Sequence, residues 1–263
     1  MKCFCRKKRW KKGILCGVAA LLAVYLCLCL SMRLTARDTA LDPEECMLYY
    51  IVNVDGMKGL GHSILMLVDQ DGCGTVYSFN GMQRSLWESL LGQSGVGKMS
   101  MGIMSAQETA AFLRTGDLKL DGDQLSGNYD VALYRPISPE EYRAIAEQAA
   151  PYWEAQERFA DLYEKWVYEQ DEGKKAEYEQ DLEQLSREES LPLYRIYTYN
   201  CDDAARGMAA PADPILQEYT RHLRRMTPSG NLKAFGKMAE DWGVMTLGRQ
   251  SLAERIMMFL MIL

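Results

Sequence analysis

Two residue types in this chain, histidine and cysteine, have the ionisation chemistry for nucleophilic catalysis. Only His62 and His222 are histidines. His62 opens a strongly apolar run, Gly61-His62-Ser63-Ile64-Leu65-Met66-Leu67-Val68, and Cys201 stands in Tyr199-Asn200-Cys201-Asp202. A thiol needs a base to become a thiolate near neutral pH, and imidazole is the side chain best poised to accept that proton. If Asn200 caps a helix, Cys201 falls in its first turn, where unsatisfied N–H groups and the positive dipole end favour the anion. Asp202 and Asp203 oppose this, because two carboxylates beside a thiol disfavour its ionisation. The dipole end is worth about half a unit charge, so a protonated imidazole in contact is required. His222 lies in the basic helical stretch Tyr219–Arg225, an exposed face, which leaves His62 as the base.

The remaining segments must position this pair. Met47–Val54 is aromatic and β-branched, and reads as a first strand. A glycine-rich loop, Gly56–Gly61, leads to His62. The run from His62 to Val68 is apolar on both faces and reads as a central strand covered on both sides. Asp69–Gly74 is a turn by composition, and Thr75–Gly81 returns as the hairpin partner. In an even register Ser78 and Asn80 share the face of His62. Asn80 is the first choice to orient the imidazole, since its amide oxygen can accept the second ring N–H; Ser78 is the alternative.

A short helix is expected around Leu86–Leu91, a strand over Met99–Met104, and a helix opened by the capping box Ser105–Glu108 and stopped at Gly116. Tyr129–Arg135 reads as another strand. Ser138-Pro139-Glu140-Glu141 repeats the capping box with proline at the first helical position. Two long helices follow to about Glu189, broken near Gly173, with Tyr152, Trp153, Tyr163 and Trp166 as core stripes and Glu177, Glu179 and Asp181 on a solvated face. Leu193–Tyr197 extends toward Cys201. Beyond it, 215–240 reads as helical with a break at Thr227–Gly230, and the apolar end Ile256–Leu263 is too short to span a bilayer.

Charge and cysteine placement bear on compartment. The net charge of the 263 residues is −6, yet residues 2–12 carry seven basic side chains and no acid. Removing those seven from the total leaves −13 on the remainder, a poor match for nucleic acid phosphates. The basic cluster instead precedes nineteen uncharged residues, 13–31. As a helix they extend about 28 Å, close to the ~30 Å hydrocarbon core. The positive flank keeps the N-terminus cytoplasmic and exports the remainder; the competing reading is a cleaved signal peptide. A polar stalk, 32–45, a body, 46–240, and an apolar tail, 241–263, complete the expected organisation. Of eight cysteines, Cys46, Cys73 and Cys201 belong to the body. With Cys201 as nucleophile, Cys46 and Cys73 remain, either bridged or as two unpaired thiols. No CxxC or Cys/His cluster suggests a zinc site, and no cofactor is expected.

The block GHSILMLVDQDGCGTVYSFNG followed by YNCDDAA resembles the circularly permuted branch of the NlpC-type, papain-like thiol hydrolases, which includes lecithin retinol acyltransferase-like proteins. The resemblance implies an α+β fold, a permuted papain-like domain with a small antiparallel sheet packed against helices, preceded here by the transmembrane helix. It implies Cys201 as nucleophile, His62 as base and an acyl-enzyme intermediate, acting on a peptide, amide or acyl-ester bond. The Cys201 backbone N–H is the expected oxyanion donor. With export to the cell membrane, the expected substrate is a cell-envelope peptide, amide or lipid. The competing function is an inactive papain-like module that binds an envelope partner; a third is a redox role for Cys46 and Cys73.

Overall fold

The computed structural model describes residues 16–24, 45–54, 61–81, 97–120, 127–189, 193–195, 198–213, 228, 231–232 and 242–248, with 152–157 and 160 described by backbone alone. Expectations for the stalk, the Gly56–Leu60 loop, the Leu86–Leu91 helix, His222, most of 215–240 and the 256–263 end lie outside these residues. Residues 16–24 are helical and exposed. No helix among the described residues is long and apolar enough to cross a membrane, so the expected span over 13–31 is described only in that part.

The body is an antiparallel α+β fold. Its six-stranded sheet contains β1 (Cys46–Asn53), β2 (His62–Val68), β3 (Gly74–Gly81), β4 (Gly97–Met104), β7 (Val131–Ile137) and β8 (Gly243–Thr246), in the order β4-β3-β2-β1-β7-β8. A two-stranded ribbon joins β5 (Asp117–Leu118) to β6 (Gly127–Asn128). Four helices accompany the sheet: α1 (Ala106–Thr115), α2 (Pro139–Tyr168), α3 (Glu172–Glu188) and α4 (Cys201–Ala209). β2 lies between β1 and β3 and is buried throughout apart from the half-buried His62, the arrangement its two-faced apolar pattern requires.

Side-chain alternation divides the core between the two faces of the sheet. On one face Leu48, Tyr50 and Val52 of β1 join Leu65 and Leu67 of β2 and Tyr77 and Phe79 of β3, packed against Ile145 of α2 and Ala204, Ala205 and Met208 of α4. On the other, Tyr49, Ile51, Ile64, Met66 and Val76 meet Phe112 and Leu113 of α1 together with Tyr129. A third cluster, Phe159, Leu182 and Leu185 with the partly buried Tyr163 and Trp166, staples α2 to α3.

Local signals fixed the helix starts. Ser105 and Ser138 form complete capping boxes with Glu108 and Glu141, and α1 ends at Gly116 in the left-handed conformation. The break between α2 and α3 falls at Glu169–Asp171, with Asp171 as N-cap, so Gly173 lies inside the first turn of α3. The sheet also runs past the expected boundary at 240. β8 pairs with β7 from Val131↔Thr246 to Tyr134↔Gly243, and Trp242 and Leu247 are buried. The body therefore includes at least the residues to Gly248.

The bridge between Cys46 and Cys73 is absent: both thiols are free. Met47 pairs with Val68, which places Cys46 across from Asp69, while Asp69 bonds Cys73 on its other flank through Asp69 N–H to the Cys73 carbonyl at 3.0 Å. Two inter-strand spacings make roughly 10 Å, beyond the ~7 Å that a disulfide tolerates between Cα atoms. At this separation the two thiols do not meet in the described arrangement.

Candidate active site at the end of β2

Cys201 is the first residue of α4. Asn200 caps the helix, its side-chain oxygen accepting from Asp202 N–H at 3.0 Å and Asp203 N–H at 3.3 Å, while Asp203 returns a bond from the Asn200 N–H at 3.0 Å. Asn-Cys-Asp-Asp is thus a reciprocal cap, which fixes where the thiol sits.

The two acids do not reach water. Asp202 and Asp203 are buried with Arg206, which is fully enclosed. Arg206 donates to Asp202 through Nε at 2.9 Å and Nη2 at 2.7 Å, and to Asp203 through Nη2 at 3.0 Å. The Tyr50 hydroxyl and the Asn231 amide also donate to Asp202. Burial alone would lift the Asp202 carboxyl, but four donor atoms converge on it, and we assign it as the carboxylate. Burial alone would likewise lower Arg206, yet the Asp202 charge holds the guanidinium above its ordinary value. The negative charges beside Cys201 are therefore balanced inside the protein. The spacing Asp202–Arg206 is the i, i+4 signal that could have revealed this.

The sulfur meets the opposite side of β2 from the imidazole. Ser63, paired with Val52, faces the α4 layer, and its backbone N–H and hydroxyl both lie against Cys201. The Tyr194 hydroxyl also addresses the sulfur. Cys201 is 2% exposed, and burial, with the Asp202 charge beside it, pushes its thiol up to about 11, while the Ser63 N–H and hydroxyl and the Asp202 N–H work in the other direction. The thiol is neutral at pH 7 in this arrangement.

His62, paired with Asn53, faces the layer of α1. Its Nε2 lies 3.0 Å from Ser78 Oγ, and the Asn80 amide donates to the same hydroxyl at 3.0 Å. The shared face expected for His62, Ser78 and Asn80 is present, but Ser78 is the residue bonded to the ring and Asn80 acts one step removed. The register Leu65↔Tyr77, continued toward Gly61, sets Asn80 across from His62 and Ser78 across from Ile64, so the ring reaches its serine diagonally along the shared face. Burial lowers the imidazole to about 4, so it too is neutral. Tyr129, whose ring centroid is 6.5 Å from that of His62, lies close enough to Cys201 for the two charges to interact. Imidazole and thiol accordingly flank one tyrosine at the same end of the sheet, on opposite faces of β2, and no Cys–His hydrogen bond joins them among the described residues.

Ser63, Tyr194, Tyr129 and Arg206 escaped the sequence reading as site residues. Strand alternation alone would have separated Ser63 from His62; nothing in the sequence shows which face receives α4. Among the described residues no group of three or more His, Cys, Asp or Glu side chains is placed to hold a metal ion. No protein-family model, curated protein or solved structure matches this chain.

Proposed function

We propose that this protein is a thiol hydrolase or acyltransferase of the permuted papain-like type. Cys201 is its nucleophile and His62 its base, and residues 13–31 anchor it to the membrane with the body outside. The observation that supports this reading most directly is the capped, charge-balanced N-terminus of α4 seated on β2 at Ser63, one residue from His62. A helix start built around a buried Asp202–Arg206–Asp203 cluster is a costly way to seat a mere core thiol, because desolvating such charges offsets most of their attraction. In the reaction the imidazole takes the Sγ proton, the thiolate attacks a carbonyl carbon of an envelope peptide, amide or acyl ester, and the imidazolium returns the proton to the leaving group. The described arrangement is the resting one. To act as base, the ring must leave Ser78 and cross the end of β2, and hydrogen bonds that tighten only with substrate are common in such sites.

The second reading, an inactive papain-like module that binds an envelope partner, is favoured by the enclosure of Cys201 and by the imidazole's bond to Ser78. Alkylation of Cys201 by iodoacetamide against pH separates the two. An activated pair labels well below about pH 8, the range of an ordinary thiol, and loses that labelling in His62→Ala. Labelling no faster than a free thiol, and unchanged by His62→Ala, selects the inactive module.

A further inference from the structure

Ser63 is fully buried, and its hydroxyl makes no hydrogen bond among the described residues, the one side-chain polar atom there left so. An enclosed hydroxyl without a partner destabilises the fold by its unrepaid desolvation, and alanine at the same place would avoid that with little loss of volume. Its surroundings identify what it waits for. Val52 lies opposite on β1, Leu65 follows on the same face of β2, and the atom it abuts is the Cys201 sulfur. A neutral thiol is a weak acceptor, whereas a thiolate is a strong one. The same sulfur faces the Ser63 N–H, the Asp202 N–H and the Tyr194 hydroxyl, so donors surround a position where no anion yet stands.

We infer that Ser63 is a positioning residue for the thiolate of Cys201, its hydroxyl remaining unsatisfied until the sulfur loses its proton and then donating to the anion. The inference rests on Cys201 being the nucleophile of the proposed reaction, and it assigns a role to the residue next to the base. In the step concerned, the Sγ–H proton passes to the His62 imidazole and the electron pair stays on sulfur, which accepts the Ser63 O–H. Part of the desolvation penalty on the anion is thereby offset, and the rest of the site is left unchanged. The arrangement exchanges stability of the resting protein for stability of its reactive form.

The full chain labelled with 13C at the cysteine Cβ reads the ionisation of Cys201 directly, whatever the access of reagents, with Cys201→Ser assigning the resonance. Ser63→Ala is expected to move the titration midpoint upward so that the thiolate fraction at a given pH falls about tenfold, while its thermal midpoint is no lower than that of the parent. The isosteric pair Ser63→Thr and Ser63→Val separates hydroxyl from volume: Thr should keep the parent midpoint and Val should follow Ala. Coincident titrations of the parent, Ala and Val proteins overturn the inference. Should Ser63→Ala not fold, the Thr and Val proteins decide in the same way. Failure of the hydrolase reading is read elsewhere, as iodoacetamide labelling of the parent that His62→Ala leaves unchanged.

Discussion

His62 Nε2 and Ser78 Oγ stand 3.0 Å apart, and the same Ser78 oxygen accepts the Asn80 amide at 3.0 Å. With one of its two lone pairs engaged by Asn80, the hydroxyl can turn its proton to the ring, and we predict that Nε2 accepts it and that the proton of the neutral imidazole sits on Nδ1. A 15N spectrum of the His62 ring should show that tautomer. Ser78→Ala should shift the balance toward the Nε2-protonated form, whereas Asn80→Ala, which touches only the serine, should move it less. Equal effects from the two substitutions would contradict the chain of bonds as drawn.

The lowered proton affinity of His62 has a consequence for acid stability. Its folded value is about 4 because burial penalises the charged ring, against about 6.5 in an unfolded chain. Between those values the unfolded state binds the extra proton. The ring's contribution is therefore complete above pH ~6.5 and lost as the pH falls through ~4, by on the order of 2–3 kcal/mol. Thermal unfolding followed from pH 7 to 4 should show a steeper decline for the parent than for His62→Gln, whose amide does not titrate. Parallel curves would refute the burial of this ring.

Arg206 gives a larger effect. It is fully enclosed and bonds both acids of the α4 cap. Arg206→Met should cost about 3–5 kcal/mol in denaturant unfolding, because it strands Asp202 and Asp203 without their cation. Adding Asp202→Asn and Asp203→Asn to that variant should restore part of the loss. A single substitution within about 1 kcal/mol of the parent would show that water reaches these carboxylates.

A backbone test concerns Gly116, which ends α1 at φ +72; a Cβ built there would stand 2.3 Å from the Tyr129 carbonyl oxygen. Tyr129 also bonds Gly116 through its N–H, at 2.7 Å, and packs beside His62. Gly116→Ala should destabilise by more than about 1 kcal/mol, from the left-handed conformation and the clash together, and should perturb the His62 resonances. A neutral substitution with unchanged ring resonances would show that this junction does not set the position of Tyr129.

Much of the scaffold was legible because its signals are local. The two serine capping boxes, the stop at Gly116, the β2–β3 hairpin and the Asn200 cap each depend on residues within a turn of one another. Alternation also placed His62, Ser78 and Asn80 on one face. β8 was missed because Gly-Val-Met-Thr has four residues and owes its strand to Val131–Tyr134 far earlier in the chain. The face of β2 that takes α4 was equally hidden, since both faces are apolar and either could have covered a helix. The approach of Cys201 to Ser63 rather than to His62 follows from that tertiary choice.

One detail of the sheet sets how far apart imidazole and thiol remain. β1 pairs with β2 as far as Asn53↔His62, but the ladder between β2 and β3 begins only at Leu65↔Tyr77. The first three residues of β2 are thus tied along one flank, and side chains in a strand exchange faces whenever it slips by a single position. A bulge confined to His62, beside Gly61 whose φ of 87 already departs from strand geometry, would turn the ring toward α4 with only the Asn53↔His62 rung re-formed and Ser63 left against Cys201. Amide protons of 62–64 that exchange faster than those of 65–68 would mark this corner as the hinge that the proposed reaction requires.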